Sequence, residues 1–106
     1  MKLSIPKKDA SNDQPLLALF DLLGKNWTLR IIWSLKDGPC KFRELLYRCG
    51  TSSPTTLNLR IKELKSLHLL ELTKDGYILT PLGTKLTKQL NLFKPWTKEW
   101  AKEFPS

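Results

Sequence analysis

The side chains best suited to chemistry in this 106-residue chain lie in the stretch SPTTLNLRIKEL, which begins at Ser53. Ser53, Thr55, Asn58, Leu59 and Lys62 offer hydroxyls, an amide, an apolar tip and an ammonium group within three turns of a helix. At 100° per residue, Thr55, Leu59, Lys62 and Ser66 share one face, with Asn58 on its flank. These are the groups that meet base edges and phosphates of DNA, and Asn58 has the geometry for a bidentate contact to adenine. Lys25, Lys41, Arg43, Lys65 and Lys74 are the cations placed to hold phosphates. Arg60, at the edge of the apolar stripe, either joins them or braces the helix. Taken alone, the same helix also fits an ordinary amphipathic element with a solvated face.

Other chemistry finds little material. The chain has one histidine, His68, and two cysteines, Cys40 and Cys49, nine residues apart with no CxxC and no histidine beside them in sequence. No glycine-rich phosphate loop occurs. Nothing assembles into a nucleophile–base pair or a metal set, so the reading is not an enzyme, with no metal and no cofactor expected. The cysteines read as reduced small hydrophobes. His68 continues the apolar stripe of Leu57, Ile61 and Leu64, at spacings of four, three and four.

The elements that would position these residues follow from local signals. Ser53 can cap a helix whose first turn tolerates Pro54, giving Ser53–Leu67. Before it, Phe42–Cys49 carries Phe42, Leu45, Leu46 and Cys49 on one face and stops at Gly50. The Gly50-Thr51-Ser52 turn then joins two helices in a helix-turn-helix spanning about 42–67. Asn26 is placed to cap a helix over Trp27–Lys36, and Pro39–Lys41 is long enough only for a bridging strand. In LLELTKDGYILT, Asp75-Gly76 predicts a two-residue hairpin turn that pairs Leu72 with Leu79 and Thr73 with Ile78. This hairpin, about 69–80, is the wing.

Two flanking helices carry more apolar surface than so small a fold can cover. Asp13–Leu23 has Leu16, Leu17, Leu19, Phe20, Leu22 and Leu23 around nearly its whole circumference. After Thr80-Pro81, a stripe of Leu82, Leu86, Leu90, Phe93, Trp96, Trp100 and Phe104 keeps one face over 81–104. Pro95 should kink or divide it, because its ring clashes with the carbonyl of Asn91. A dimer interface built from Leu16, Leu19, Phe20, Leu90, Phe93, Trp96, Trp100 and Phe104 is the economical reading.

Composition agrees with one domain over 13–106 behind a loose basic tail at 1–12. An apolar fraction of 41% and a charged fraction of 26% are those of an ordinary globule. The net charge of +8 points to a polyanionic partner. No apolar run approaches the ~20 residues that span a bilayer, and MKLSIPKKDASND has no signal-peptide core, so the expected compartment is the cytoplasm.

In this order and spacing, LLGKNWTLRIIWSLKDGPCKFRELL, SPTTLNLRIKEL and YILTPLG resemble the HxlR-type family of bacterial and archaeal winged-helix transcription regulators over about residues 22–96. The resemblance implies a mostly α fold with a small β-hairpin, a winged helix-turn-helix with extra N- and C-terminal dimerisation helices. It implies a homodimer that represses or activates at a pseudo-palindromic operator in double-stranded DNA. By position, Ser53, Thr55, Asn58, Leu59, Arg60 and Lys62 fall on that family's recognition helix. The chain departs from the pattern in three places. Asn12, Asp13 and Gln14 stand where many members have a cysteine used for sensing in some of them. The wing is several residues shorter than usual, and Leu59 takes a position that is usually polar. The rival expectation is a winged helix used as a protein-interaction module, docking a partner through Leu59 and the aromatic stripe.

Overall fold

The computed structural model describes residues 13–51 and 53–104. The expected tail at 1–12 and Ser52 of the expected turn lie outside them. The order is α1 (Gln14–Leu23), α2 (Thr28–Ser34), α3 (Phe42–Cys49), α4 (Pro54–Ser66), β1 (Leu70–Thr73), β2 (Gly76–Leu79), α5 (Pro81–Asn91) and α6 (Lys94–Ala101). It is a mostly helical winged helix-turn-helix with a two-stranded antiparallel wing.

The core forms where α2, α3 and α4 meet. Ile31 and Ile32 from α2, Leu45 from α3, and Leu57, Ile61 and Leu64 from α4 are almost completely buried. Burying each such side chain contributes about 1.5–3 kcal/mol, so the apolar stripe fixes which way α4 faces. Leu22 of α1 and Leu69 and Leu70 at the base of the wing close this core. The α3 helix ends, as its sequence predicts, at Gly50, whose φ of 72° suits a residue without Cβ.

Three local expectations need correction. The first concerns the second helix, which starts one residue late and ends early, at Ser34. Trp27 stands at its N-cap with φ 73°, and Asn26 makes no side-chain cap there. The indole is held by packing on the core, and this tertiary contact overrides the local cap signal.

The second concerns the wing register. Leu70 pairs with Leu79, Glu71 with Ile78, Leu72 with Tyr77 and Thr73 with Gly76, so the turn is Lys74-Asp75 rather than Asp75-Gly76. Thr73 fixes that turn, its hydroxyl donating to the Gly76 carbonyl at 2.8 Å and accepting from the Asp75 N–H at 3.2 Å. A third strand residue decides where Gly76 falls. Cys40 and Tyr77 exchange two backbone hydrogen bonds, at 3.1 and 2.9 Å, making the bridge that Pro39–Lys41 was long enough to form. A Cβ on Gly76 would lie 2.8 Å from the Cys40 backbone, so glycine belongs in the strand opposite it. A shift of two residues leaves the alternation of side chains along each strand unchanged. It also leaves Leu72 at the wing tip, 56% exposed, rather than in the core.

The third concerns His68, which is not on the core stripe. The α4 helix ends at Ser66, and His68 follows in the left-handed region with φ 62°, exposed to solvent. Its N–H bonds the Lys65 carbonyl at 3.1 Å and the Leu69 N–H bonds the Leu64 carbonyl at 3.0 Å, closing the helix end.

The Leu-Thr-Pro-Leu-Gly segment after the wing has a physical reason at each polar position. The Thr80 hydroxyl accepts from the Gly83 N–H at 3.1 Å and donates to the His68 carbonyl at 2.6 Å. Gly83 lets α5 lie directly on the Leu69 carbonyl, where no side chain fits. Beyond α5 the chain divides as Pro95 requires. Leu92 and Phe93 make tight backbone bonds to Gln89 and Leu90, and α6 begins at Lys94 with the proline in its first turn.

Candidate nucleic-acid interface

The outward face of α4 is held by its two ends and by one ion cluster on its flank. At the N-terminus the Ser53 hydroxyl accepts from the Thr56 N–H at 3.3 Å and donates to the Thr56 hydroxyl at 3.0 Å. Ser53 is thus the cap its sequence predicts, with its hydroxyl engaged inside the helix. Opposite the buried Leu57, Ile61 and Leu64, the side chains of Thr55, Leu59 and Lys62 are exposed, with Asn58 and Lys65 exposed on the flank. Leu59 is 52% exposed among them, an apolar tip in a polar row.

Glu63 ties this helix to the loop between α1 and α2. Its carboxylate accepts from Lys25 Nζ and from Arg60 Nη1, the latter at 2.8 Å, while Arg60 Nε donates to the Asn26 carbonyl at 3.1 Å. The three side chains are only 14–17% exposed. Burial alone would raise the Glu63 pKa. The hydrogen bonds and charges of Lys25 and Arg60 outweigh it and hold the carboxyl below its ordinary value. Of the two roles open to Arg60, the geometry gives it bracing, and Lys25 shares that role. Sequence reading missed this clamp because its partners lie 38 residues apart.

Four of the six phosphate candidates, Lys41, Arg43, Lys65 and Lys74, stay exposed. Lys41 at the start of α3 and Lys74 at the wing tip line one groove of about 270 Å³ with Thr73 and Tyr77. Lys41 also lines an adjoining groove with Arg43, Glu44 and Tyr47. The fold therefore makes a basic strip from α3 to the wing out of residues 31 or more positions apart. Tyr47, at 87% exposure on that strip, was not singled out from sequence. Its signal was present: it lies off the α3 face formed by Phe42, Leu45, Leu46 and Cys49.

The proposed interface residues divide in the same way. Leu19 and Leu90 are half-buried against the core of their own chain. Leu16, Phe20, Phe93, Trp96, Trp100 and Phe104 are exposed. On α6, which buries no residue, Trp96 and Trp100 stack at 5.5 Å between ring centroids and Phe104 meets Trp100 edge-on at 5.9 Å. Lys94 Nζ lies 5.5 Å from the Trp33 ring centroid, a cation–π contact that links the start of α6 to α2.

Cys40 and Cys49 are free and buried, and burial pushes both thiols up. Among the described residues no group of three or more His, Cys, Asp or Glu is placed to hold a metal ion. No described helix is long and apolar enough to cross a membrane.

The model of the HxlR-like helix-turn-helix family matches residues 22–104. The chain is 33% identical over 89 residues to the HTH-type transcriptional regulator YodB of Bacillus subtilis, covering 77% of this chain and 80% of that protein. It is 27% identical over 89 residues to the uncharacterized HTH-type transcriptional regulator MJ0925 of Methanocaldococcus jannaschii, covering 79% and 83%. The crystal structure of quinone-bound YodB superposes with a TM-score of 0.73 at 33% identity, covering 79% of this chain and 96% of the other. The reduced form of YodB gives a TM-score of 0.72 at 29% identity, covering 85% and 95%.

Proposed function

This chain belongs to the HxlR-like helix-turn-helix family, and we propose that it is a non-enzymatic, sequence-specific regulator of transcription that binds double-stranded DNA as a homodimer at a pseudo-palindromic operator. The observation that carries this reading is the outward face of α4, where Thr55, Asn58, Leu59 and Lys62 stand exposed on a helix braced from behind by Glu63, Lys25 and Arg60. In the major groove Asn58 contacts adenine, Leu59 meets thymine methyls, and Thr55 and Lys62 supply the remaining polar contacts. Ser53 sits at the groove-facing end of the same helix. Lys41, Arg43, Lys65 and Lys74 hold phosphates on either side, and Lys25 and Arg60 act by fixing the angle of the helix.

Dimerisation brings together the apolar faces of α1 and α6, which the single chain leaves exposed. Two copies then present their α4 helices to half-sites about 34 Å apart, one turn of DNA. A regulator of this kind works beside the chromosome, in the cytoplasm. The second reading, a protein-interaction module, draws support from Leu59, whose apolar tip has no partner in the chain's core.

The test is a duplex selected from random DNA, bound by the unaltered protein and by two variants. Asn58→Ala should lose about 1–3 kcal/mol of discrimination at one base pair in each half-site. Lys62→Ala should lower both affinity and salt dependence. Variants that bind like the parent would refute the assignment of this face, and docking of a protein through Leu59 would then become the reading to pursue.

A further inference from the structure

We propose that the cleft between α1 and α5 is a binding site for a small organic anion with an apolar body, a medium-chain carboxylate being the simplest case. The cleft measures about 450 Å³, within the range of small-molecule sites. Its walls come from Leu19 of α1 and Leu86 of α5, and its floor reaches the buried core side chains Leu22 and Leu69. Lys85 is the one ionisable group among the described residues that lines it. Among the described residues Lys85 has no ion-pair partner, and no acidic side chain lines the cleft. An apolar concavity with an exposed lysine and Gln89 at its rim fits an anion carried on a hydrocarbon body, of which a carboxylate is the simplest. The exposed aromatic face of α6 differs in kind: it stands out from the fold and does not open into the core.

The cleft also reaches the end of the recognition helix. Leu67, which lines it, is the C-cap of α4, and its N–H bonds the Glu63 carbonyl at 3.1 Å. Leu69 on the floor bonds the Leu64 carbonyl at 3.0 Å. An occupant that moves these leucines therefore bears on the position of α4 and couples ligand to DNA affinity. This coupling rests on the DNA-binding reading, whereas the site itself does not.

The probe is octanoate, titrated into the ¹⁵N-labelled full chain without DNA, with octan-1-ol as its uncharged counterpart. Saturable amide shifts at Leu19, Leu22, Leu69 and Leu86 are expected, with octan-1-ol binding at least about tenfold more weakly. Lys85→Met, which keeps the stem length, should bring octanoate affinity down to that of the alcohol and leave the alcohol unchanged. Absence of saturable binding, shifts confined to Trp96 and Trp100, or equal octanoate affinity in Lys85→Met would each overturn the site. With saturating octanoate, duplex affinity should change at least about threefold, and an unchanged value overturns the coupling. Failure of the free protein to bind any duplex would strike the DNA reading and leave the octanoate result standing.

Discussion

Replacing Gly83 with alanine should disconnect the wing from the C-terminal half of the fold. A Cβ at this position would lie 2.1 Å from the Leu69 carbonyl oxygen and 3.1 Å from its carbon. Both are backbone atoms, so no side chain can swing aside, and α5 must retreat by about 1 Å. That retreat acts on three hydrogen bonds at once. The Thr80 N–H donates to the Leu69 carbonyl at 3.1 Å, the Thr80 hydroxyl donates to the His68 carbonyl at 2.6 Å, and the Gly83 N–H donates to the Thr80 hydroxyl at 3.1 Å. At about 1 kcal/mol each, their loss together with the steric cost gives a destabilisation of about 3–5 kcal/mol. Set against a total of about 5–15 kcal/mol for a domain, this removes a large share of the stability. Urea unfolding followed by tryptophan fluorescence and far-ultraviolet circular dichroism measures it. Thr84→Ala, exposed and one residue on, is the control and should stay within about 0.5 kcal/mol of the parent. A Gly83→Ala midpoint that corresponds to a loss under about 1 kcal/mol would refute the close-approach argument.

Two further perturbations test other joints of the structure. The Glu63 carboxyl titrates below its ordinary value of 4.5, so its contribution to stability is fully present above that pH and disappears as pH falls through the depressed value. Urea midpoints measured from pH 7 to 3 should therefore fall more steeply on the acid side for the parent than for Glu63→Gln, and Glu63→Gln should be the less stable at pH 7. Parallel curves would contradict the clamp. His68→Gly should raise the urea midpoint, with a gain of about 0.5–1 kcal/mol, because His68 holds φ at 62° where only glycine is unstrained. A lower midpoint would mean that the exposed imidazole makes a contact worth more than that strain.

What could be read from the sequence was what local chemistry decides. Ser53-Pro54 and Thr80-Pro81 mark two helix starts because a hydroxyl cap and a proline in the first turn need no distant partner. Leu57, Ile61 and Leu64 announce the buried side of α4, and the opposite face follows from the helical period alone. The residues that were misplaced answer to distant ones. The wing register is decided by Cys40, more than thirty residues from the strand it bridges. The αL turn at Trp27 is held by core packing, and the inward turn of Lys25 and Arg60 by Glu63. Leu19 and Leu90 lie on the same stripes as the exposed apolar residues, and only the packing of α1 and α5 on the core sets them apart.

The most direct test of the central claim is binding of the full chain to a mixed-sequence duplex. Fluorescence anisotropy would be read between about 50 and 200 mM salt, with light scattering to give the mass of the bound species. Lys62 with the four exposed phosphate-holding cations, on each of two protomers, brings about ten positive charges to the duplex, and so a slope of log affinity against log salt on the order of −9. A dimer that binds with a slope of that size is the predicted result. No binding at the lowest salt, or affinity that ignores salt, would contradict the account.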